Sequence, residues 1–350
     1  MTPKNLLKSF YEWRRQDQAL VLASVFETEG STYSKAGARM LINADGDFQG
    51  MLSGGCLEGD LAERAREVLN SGEAQTVIYD LGVNDEELWG LGVGCDGLMR
   101  IFLQPLLAEN DYAPFEAIAR AYEGDHREIT VTVLESEHIK PGATLVTAGD
   151  NVESFGLSDD AAQVLLDEAR AALASKVSST KSVQVGDAKA TILLAIVNPR
   201  IRLLVLGAGL DAEPVTRLAD ELGWRVTVVD HRPAYIEIGN FDRAEKVICC
   251  PANEMSVHVD LLNFDATIVM SHHLVSDRSY LAQLSKSDIQ YIGLLGPKDR
   301  RRRLLEELGA NAATLDDRLH GPAGVDIGAV GPAAIALSIV TEMYGVLAAR

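Results

Sequence analysis

The sequence predicts an α/β protein in two parts: an N-terminal α+β domain over residues 1–198, then a doubly wound parallel sheet over residues 199–350. Three observations predict it. After Leu203, five short apolar runs alternate with polar or helical sequence, the pattern of a parallel sheet covered on both faces. Before that point the apolar runs follow one another as a meander, with helices set between them. The "NPR" at 198–200 separates the halves, since the residue before a proline is pushed away from helical backbone. A chain of 350 residues with 47% hydrophobic residues can fill two cores.

In the first half, "MTPKNLLKSFYEWRRQ" reads as an amphipathic helix, lacking the apolar core and small-residue cleavage site of a secretory leader. Strands are expected at 19–28, 38–43 and 47–52, then a helix over 57–70. Further strands are expected at 75–80, 98–104, 127–134, 143–148, 181–186 and 190–197, with helices over 112–123 and 159–174. In the second half, strands are expected at 203–207, 225–230, 246–250, 266–272 and 291–296. A helix over 211–222 follows the first, and the apolar spacing of 332–349 gives a terminal helix packed on the sheet.

"VLGAGLDAEPV" (205–215) leaves a strand and opens a helix. Gly207 and Gly209 match the first two glycines of the dinucleotide fingerprint, and Ala212 takes the third position. The first glycine permits the turn, and the second lets backbone approach a pyrophosphate. The helix N-terminus then offers free N–H groups. Asp230 ends the next strand, where a carboxylate can accept hydrogen bonds from ribose hydroxyls. This is a Rossmann-like arrangement. Its binding crevice lies at the carboxyl ends of the strands, where Gly207, Asp230, Cys249, Cys250, His272 and Gly296 all fall. Cys249 and Cys250 read as small hydrophobes. Of His272 and His273, one is expected to cap a helix while the other faces solvent. Lys298 and the arginines after it read as a solvated basic face at a helix start, within reach of a ligand phosphate.

Two further segments carry chemistry. Cys56 lies in "SGGCLEG" (53–59) and Cys95 in "WGLGVGCDG" (89–97), each thiol embedded in glycines and followed by a carboxylate, Glu58 and Asp96. Gly54 and Gly55 permit unusual backbone angles and close approach by a ligand. A thiol at the start of the 57–70 helix is expected to feel the positive dipole end, which favours the thiolate, the form that attacks sulfur or binds soft metals. No C-x-x-C or C-x-x-H pair is present, so a structural zinc site is not expected.

The formal charge of −19 argues against a nucleic-acid partner, because phosphate binding is driven by Lys and Arg. No apolar run reaches the roughly 18 residues of a membrane span, so no membrane insertion is expected. Four cysteines do not make a disulfide framework, and the expected location is the cytoplasm.

Taken together, "EGSTYSKAGARM" (29–40), "SGGCLEG", "WGLGVGCDG", "LGAG" with "VVDHRP" (206–233), "YIGLLGPKDRR" (291–301) and "HGPAGVDIGA" (320–329) make the sequence resemble the XdhC/CoxI family over nearly its whole length. These are molybdenum-cofactor maturation proteins, accessory to xanthine dehydrogenase and related hydroxylases. The resemblance implies a cofactor-binding chaperone rather than a turnover enzyme. It would hold molybdenum cofactor, recruit a cysteine desulfurase for its sulfuration, and deliver it to an apo-molybdenum hydroxylase. On that reading Gly54, Gly55, Cys56, Glu58 and Cys95 contact the cofactor, with Cys56 and Cys95 touching it or handling sulfur, Cys56 the candidate ligand to the metal and Glu58 a neighbouring polar or proton-handling group. The Cys249–Cys250 pair lies outside the family's motifs and receives no role.

A dinucleotide form of molybdopterin would suit Gly207, Gly209, Asp230 and His272, with its metal end reaching Cys56. The competing reading is an NAD-dependent oxidoreductase using the same glycine loop, with His272 as catalytic acid and Arg232 clouding the choice between NAD and NADP. It leaves both thiol loops idle. A nucleotide-sensing interaction protein is the third reading, and a homodimer would suit a two-domain chaperone.

Overall fold

A computed structural model describes residues 3–80, 97–148 and 151–348, which divide into two compact units on either side of the 199–200 boundary. Each unit is described by itself. Cys95 and Asp96 lie outside the described residues.

The first unit holds two antiparallel sheets. One is formed by β1 (Leu20–Glu29), β2 (Arg39–Asn43), β3 (Phe48–Gln49), β4 (Gln75–Asp80) and β5 (Leu98–Leu106), in the order β3-β2-β1-β5-β4. Helix α2 (Glu58–Ser71) lays Leu61, Ala65 and Val68 on this sheet against Val21, Ala23 and Ile101. It stops at Gly72, whose left-handed backbone turns its N–H back to the Val68 carbonyl. Helix α1 (Pro3–Arg14) buries Phe10 edge-on to Tyr112 and Phe115, so the amphipathic reading of the N-terminus corresponds to a packed helix.

The second sheet is formed by β6 (Glu128–Ser136), β7 (Thr144–Ala148), β8 (Asn151–Phe155), β9 (Ser179–Val185) and β10 (Ala188–Val197), in the order β8-β7-β6-β10-β9. Helix α3 (Phe115–Glu123) precedes it. Helix α4 (Asp159–Ser175), capped by the Ser158 hydroxyl, covers it with Leu165 and Ala169. The sequence reading contains no strand at β8. This is an edge strand whose residues are exposed or half-buried, so it has no apolar alternation to betray it.

The second unit is a six-stranded parallel sheet. Its strands are β11 (Arg202–Leu206), β12 (Arg225–Asp230), β13 (Lys246–Cys249), β14 (Ala266–Val269), β15 (Tyr291–Leu294) and β16 (Leu319–His320), in the order β13-β12-β11-β14-β15-β16. The sequence pattern does not predict the sixth strand, because two residues carry no periodicity. Helices α5 (Ala212–Glu221) and α10 (Pro332–Ala348) pack on one face through Val215, Ala219, Ile339 and Met343. Helices α8 (Leu274–Leu284) and α9 (Lys298–Leu308) pack on the other through Tyr280, Leu281 and Leu304. The short helices α6 (Pro233–Ile238) and α7 (Met255–His258) complete the connections. Burial on both faces explains why β11, β14 and β15 read as unbroken apolar runs. The fold is the α/β architecture expected: an α+β unit followed by a Rossmann-like one. Strand order reverses on either side of β11, so the crevice expected for a ligand opens between the carboxyl ends of β11, β12 and β14. Among the described residues no helix is long and apolar enough to cross a membrane.

Candidate functional site

In the first unit the chain from Met51 to Leu57 wraps around one carboxylate. Glu58, 1% exposed, turns back from the first turn of α2 into the loop that precedes it. Its Oε1 accepts from the backbone N–H groups of Leu52 (2.8 Å) and Ser53 (2.9 Å). Its Oε2 accepts from the Ser53 hydroxyl (2.5 Å) and from the N–H groups of Gly55 (3.0 Å) and Leu57 (3.2 Å). Burial raises the pKa of this carboxyl, but the donors outweigh burial and hold it below the usual glutamate range. Glu58 thus acts as the internal anchor of the loop, with five donors saturating its oxygens. An open, proton-handling carboxylate would look different.

The anchoring forces Gly54 and Gly55 into consecutive left-handed conformations, φ 83° and 112°. The two glycines then differ. The ring of Tyr33 lies over Gly54, 3.4 Å from where a Cβ would stand, whereas among the described residues a Cβ on Gly55 would meet nothing within 4 Å. Cys56 follows, half-buried, its inner side against the core of the first sheet. The loop therefore packs the Cys56 thiol against the first sheet and, among the described residues, leaves the space over the neighbouring Gly55 open. The second cysteine segment ends here too. A Cβ on Gly97 would fall 2.6 Å from the Ser31 carbonyl oxygen, so the chain re-enters β5 pressed against the turn that carries Tyr33. Among the described residues, no three His, Cys, Asp or Glu side chains are grouped to hold a metal ion.

In the second unit the glycine loop joins β11 to α5 as the fingerprint requires. Gly207 has φ 126°, and a Cβ there would fall 2.6 Å from the Met270 backbone, so only glycine lets the loop cross the end of β14. At Gly209 the space a Cβ would fill contains the Asp211 carboxylate, with Oδ1 at 2.6 Å. Asp211 Oδ2 accepts a hydrogen bond of 2.7 Å from Nε2 of His272. His272 is exposed and has a positive φ of 58°, and its neighbour His273 caps α8 by accepting from the Ser276 N–H.

Asp230 is fully buried and already engaged. It accepts from the Ala208 N–H (2.7 Å), the Arg232 N–H (2.9 Å) and, in bidentate fashion, the Arg232 guanidinium. Burial raises its pKa, and the Arg232 hydrogen bonds overcome this and hold it low. The expectation of a carboxylate open to a ribose meets a different arrangement: the lone pairs go to Arg232 and to the glycine loop. The guanidinium in turn stacks on Tyr235 at 3.6 Å and donates to the Ser271 carbonyl. Ser271 donates to Oδ1 of a second buried carboxylate, Asp277, whose Oδ2 accepts from both Nε and Nη2 of Arg300. Cys249 is exposed on the edge strand and Cys250 is buried.

So the structure brings Gly54, Gly55, Cys56 and Glu58 into one loop, and Gly207, Gly209, Asp230 and His272 into one crevice. Tyr33 and Asp211 hold prominent positions that the sequence reading does not assign them, and Arg232 enters that reading only as a neighbour of the ribose carboxylate. Each sits within a quoted motif, but what each does depends on neighbours that the motif does not reveal.

The fold and these loops define a two-unit protein with a thiol-bearing glycine loop on an α+β scaffold and a Rossmann-like second half. Residues 203–343 match the XdhC Rossmann domain, and residues 13–80 match the XdhC and CoxI family. The chain is 31% identical over 328 residues to a Bacillus subtilis protein named as a probable component of xanthine dehydrogenase, covering 94% of this chain and 93% of that one. Over 111 residues it is 29% identical to the Escherichia coli molybdenum cofactor insertion chaperone PaoD, covering 30% and 34% of the two chains. A crystal structure from Bacillus halodurans, described as a xanthine dehydrogenase, matches with a TM-score of 0.80 and 29% identity over 100% of this chain and 97% of that one. This chain belongs to the XdhC and CoxI family.

Proposed function

We propose that this protein is a maturation factor that carries molybdenum cofactor as cargo at the Cys56 loop and passes it to an apo-molybdenum hydroxylase. The observation that carries the reading is the loop itself: among the described residues, a half-buried thiol packed against the first sheet follows a glycine with nothing over it and has no protein ligand cluster around it. Such a loop suits a metal that arrives already held by its own organic ligand, adding one soft donor to it. The likeness to a molybdenum cofactor insertion chaperone supports the same reading. Sulfuration belongs to the proposal as well, with a cysteine desulfurase as the sulfur donor and the Cys56 thiol beside the exchanging ligand. On this reading the protein works in the cytoplasm.

The oxidoreductase alternative draws less support. A nicotinamide dinucleotide needs an acceptor for its ribose and an empty cradle for its pyrophosphate. Here Asp230 is tied to Arg232, and the Asp211 carboxylate fills the cradle at Gly209. A dinucleotide form of the molybdenum cofactor would meet the same obstacle unless Asp211 swings away.

The test is delivery. Protein loaded with cofactor under anaerobic conditions should restore activity to an apo-molybdenum hydroxylase on mixing. Nicotinamide absorbance changes with candidate substrates, without any transfer of cofactor, would favour the oxidoreductase instead.

A further inference from the structure

We infer that Tyr33 and Lys35 form a docking platform for a planar heteroaromatic ligand carrying a phosphate, beside the Cys56 thiol. The inference rests on the reading above and adds to it the residues that would hold the organic part of the cargo.

A single exposed aromatic residue is ordinary on a protein surface. Tyr33 differs in how it is held. Tyr33 is 62% exposed, and its ring lies over Gly54, 3.4 Å from where a Cβ would stand, where the left-handed backbone of Gly54 brings the loop up to it. The turn bearing it is braced from within and from both sides. The Thr32 hydroxyl donates to the Ser34 carbonyl (2.9 Å), and the Ser34 hydroxyl donates to the Met51 carbonyl of the cysteine loop (3.3 Å). Gly97 presses on Ser31 and Thr32 from the other side. A ring on a braced turn, with an exposed face, loses less conformational entropy when a flat ligand stacks on it than one on a loose loop. The stacked position lies over Gly54, next to Gly55, above which no described residue stands.

Lys35 supplies the charge. Its ammonium donates to the Thr32 hydroxyl (3.3 Å), and among the described residues it has no carboxylate partner. In a chain of net charge −19, an exposed lysine with no carboxylate partner among the described residues, on the turn that presents Tyr33, suits a phosphate. The ligand class is therefore a fused heteroaromatic ring with a phosphate, and a phosphorylated pterin meets it.

The experiment uses neopterin and neopterin monophosphate as fluorescent probes, titrated into the wild-type protein and into Tyr33→Ala, Tyr33→Phe and Lys35→Ala variants. Both side chains are exposed, so the fold should survive each change. Removing the stacking ring should weaken both probes by about tenfold or more, as truncating an aromatic that stacks on a nucleobase does. Tyr33→Phe should preserve binding, and Lys35→Ala should weaken only the phosphorylated probe. Tyr33→Ala titrating like wild type would overturn the inference while leaving the cofactor reading intact. Wild-type protein that binds neither probe and carries no cofactor would overturn both.

Discussion

The Asp230 carboxylate and the Arg232 guanidinium, two residues apart, form a bidentate ion pair of 2.9 and 2.8 Å at the carboxyl end of β12, with Asp230 fully buried. The same carboxylate accepts from the Ala208 N–H and so fixes the glycine loop. A residue that could have read a ribose instead serves as a counter-ion and a loop anchor. Arg232→Ala should therefore cost stability rather than merely change ligand preference. Leaving a buried carboxylate without its partner costs on the order of 3–5 kcal/mol, measurable as a shift in the urea midpoint of the second unit.

Asp211 gives the complementary prediction. Its carboxylate fills the space that the second fingerprint glycine leaves, paired with His272. Wild-type protein should bind ADP and NAD poorly. Asp211→Ala removes like charge from the cradle and should tighten ADP binding by about tenfold or more, read by calorimetry at fixed ionic strength. Equal, tight binding by both proteins would show that the carboxylate does not stand in the ligand's way.

Glu58 predicts a pH dependence with a definite sign. Its folded pKa lies below the ordinary glutamate value of 4.5, so its contribution is fully present above that value and is lost as pH falls through the lower folded pKa. Glu58→Gln should lower stability by about 2–4 kcal/mol near neutral pH, because hydrogen bonds to a charged acceptor are lost and an amide N–H is turned toward donors. The gap between the two proteins should narrow in acid. Hydrogen exchange at the Leu52, Ser53, Gly55 and Leu57 amides reads the loop directly, and unchanged protection in the variant would contradict its anchoring role.

The two fingerprint glycines should separate in mutational cost. A Cβ at Gly207 would strike the backbone of Met270 and Ser271, which cannot move without disturbing β14, and φ there is 126°. Gly207→Ala should cost more than about 2 kcal/mol. At Gly209 the nearest atom belongs to the Asp211 side chain, which can rotate, so Gly209→Ala should cost well under half as much. Comparable thermal shifts in the two variants would count against this distinction.

The fold is legible in the sequence wherever periodicity carries it. The unbroken apolar runs of β11, β14 and β15 and the glycine loop after β11 are local patterns set by burial on both faces. Edge strand β8 escapes because it buries no face, and β16 because two residues carry no periodicity even though Leu319 is buried. The site is legible as residue types but not as roles. Glu58 lies within the cysteine motif, yet nothing in "SGGCLEG" reveals that its carboxylate points back to collect five donors. The positions of Tyr33 over Gly54 and of Arg232 against Asp230 arise from turns whose geometry depends on packing, so "GSTYSKAG" and "VVDHRP" announce a turn without saying what it presents.

The central claim is that the Cys56 loop holds molybdenum cofactor. Wild-type protein and Cys56→Ser should be purified anaerobically from the same cofactor-producing host, with oxidised pterin measured by fluorescence and molybdenum by metal analysis. The expected result is pterin and molybdenum in near-equal amounts on the wild type, and their loss from Cys56→Ser while the fold is unchanged. Full retention by Cys56→Ser would remove the site from this loop, and a wild-type protein free of pterin, where a known binder from that host retains it, would contradict the claim.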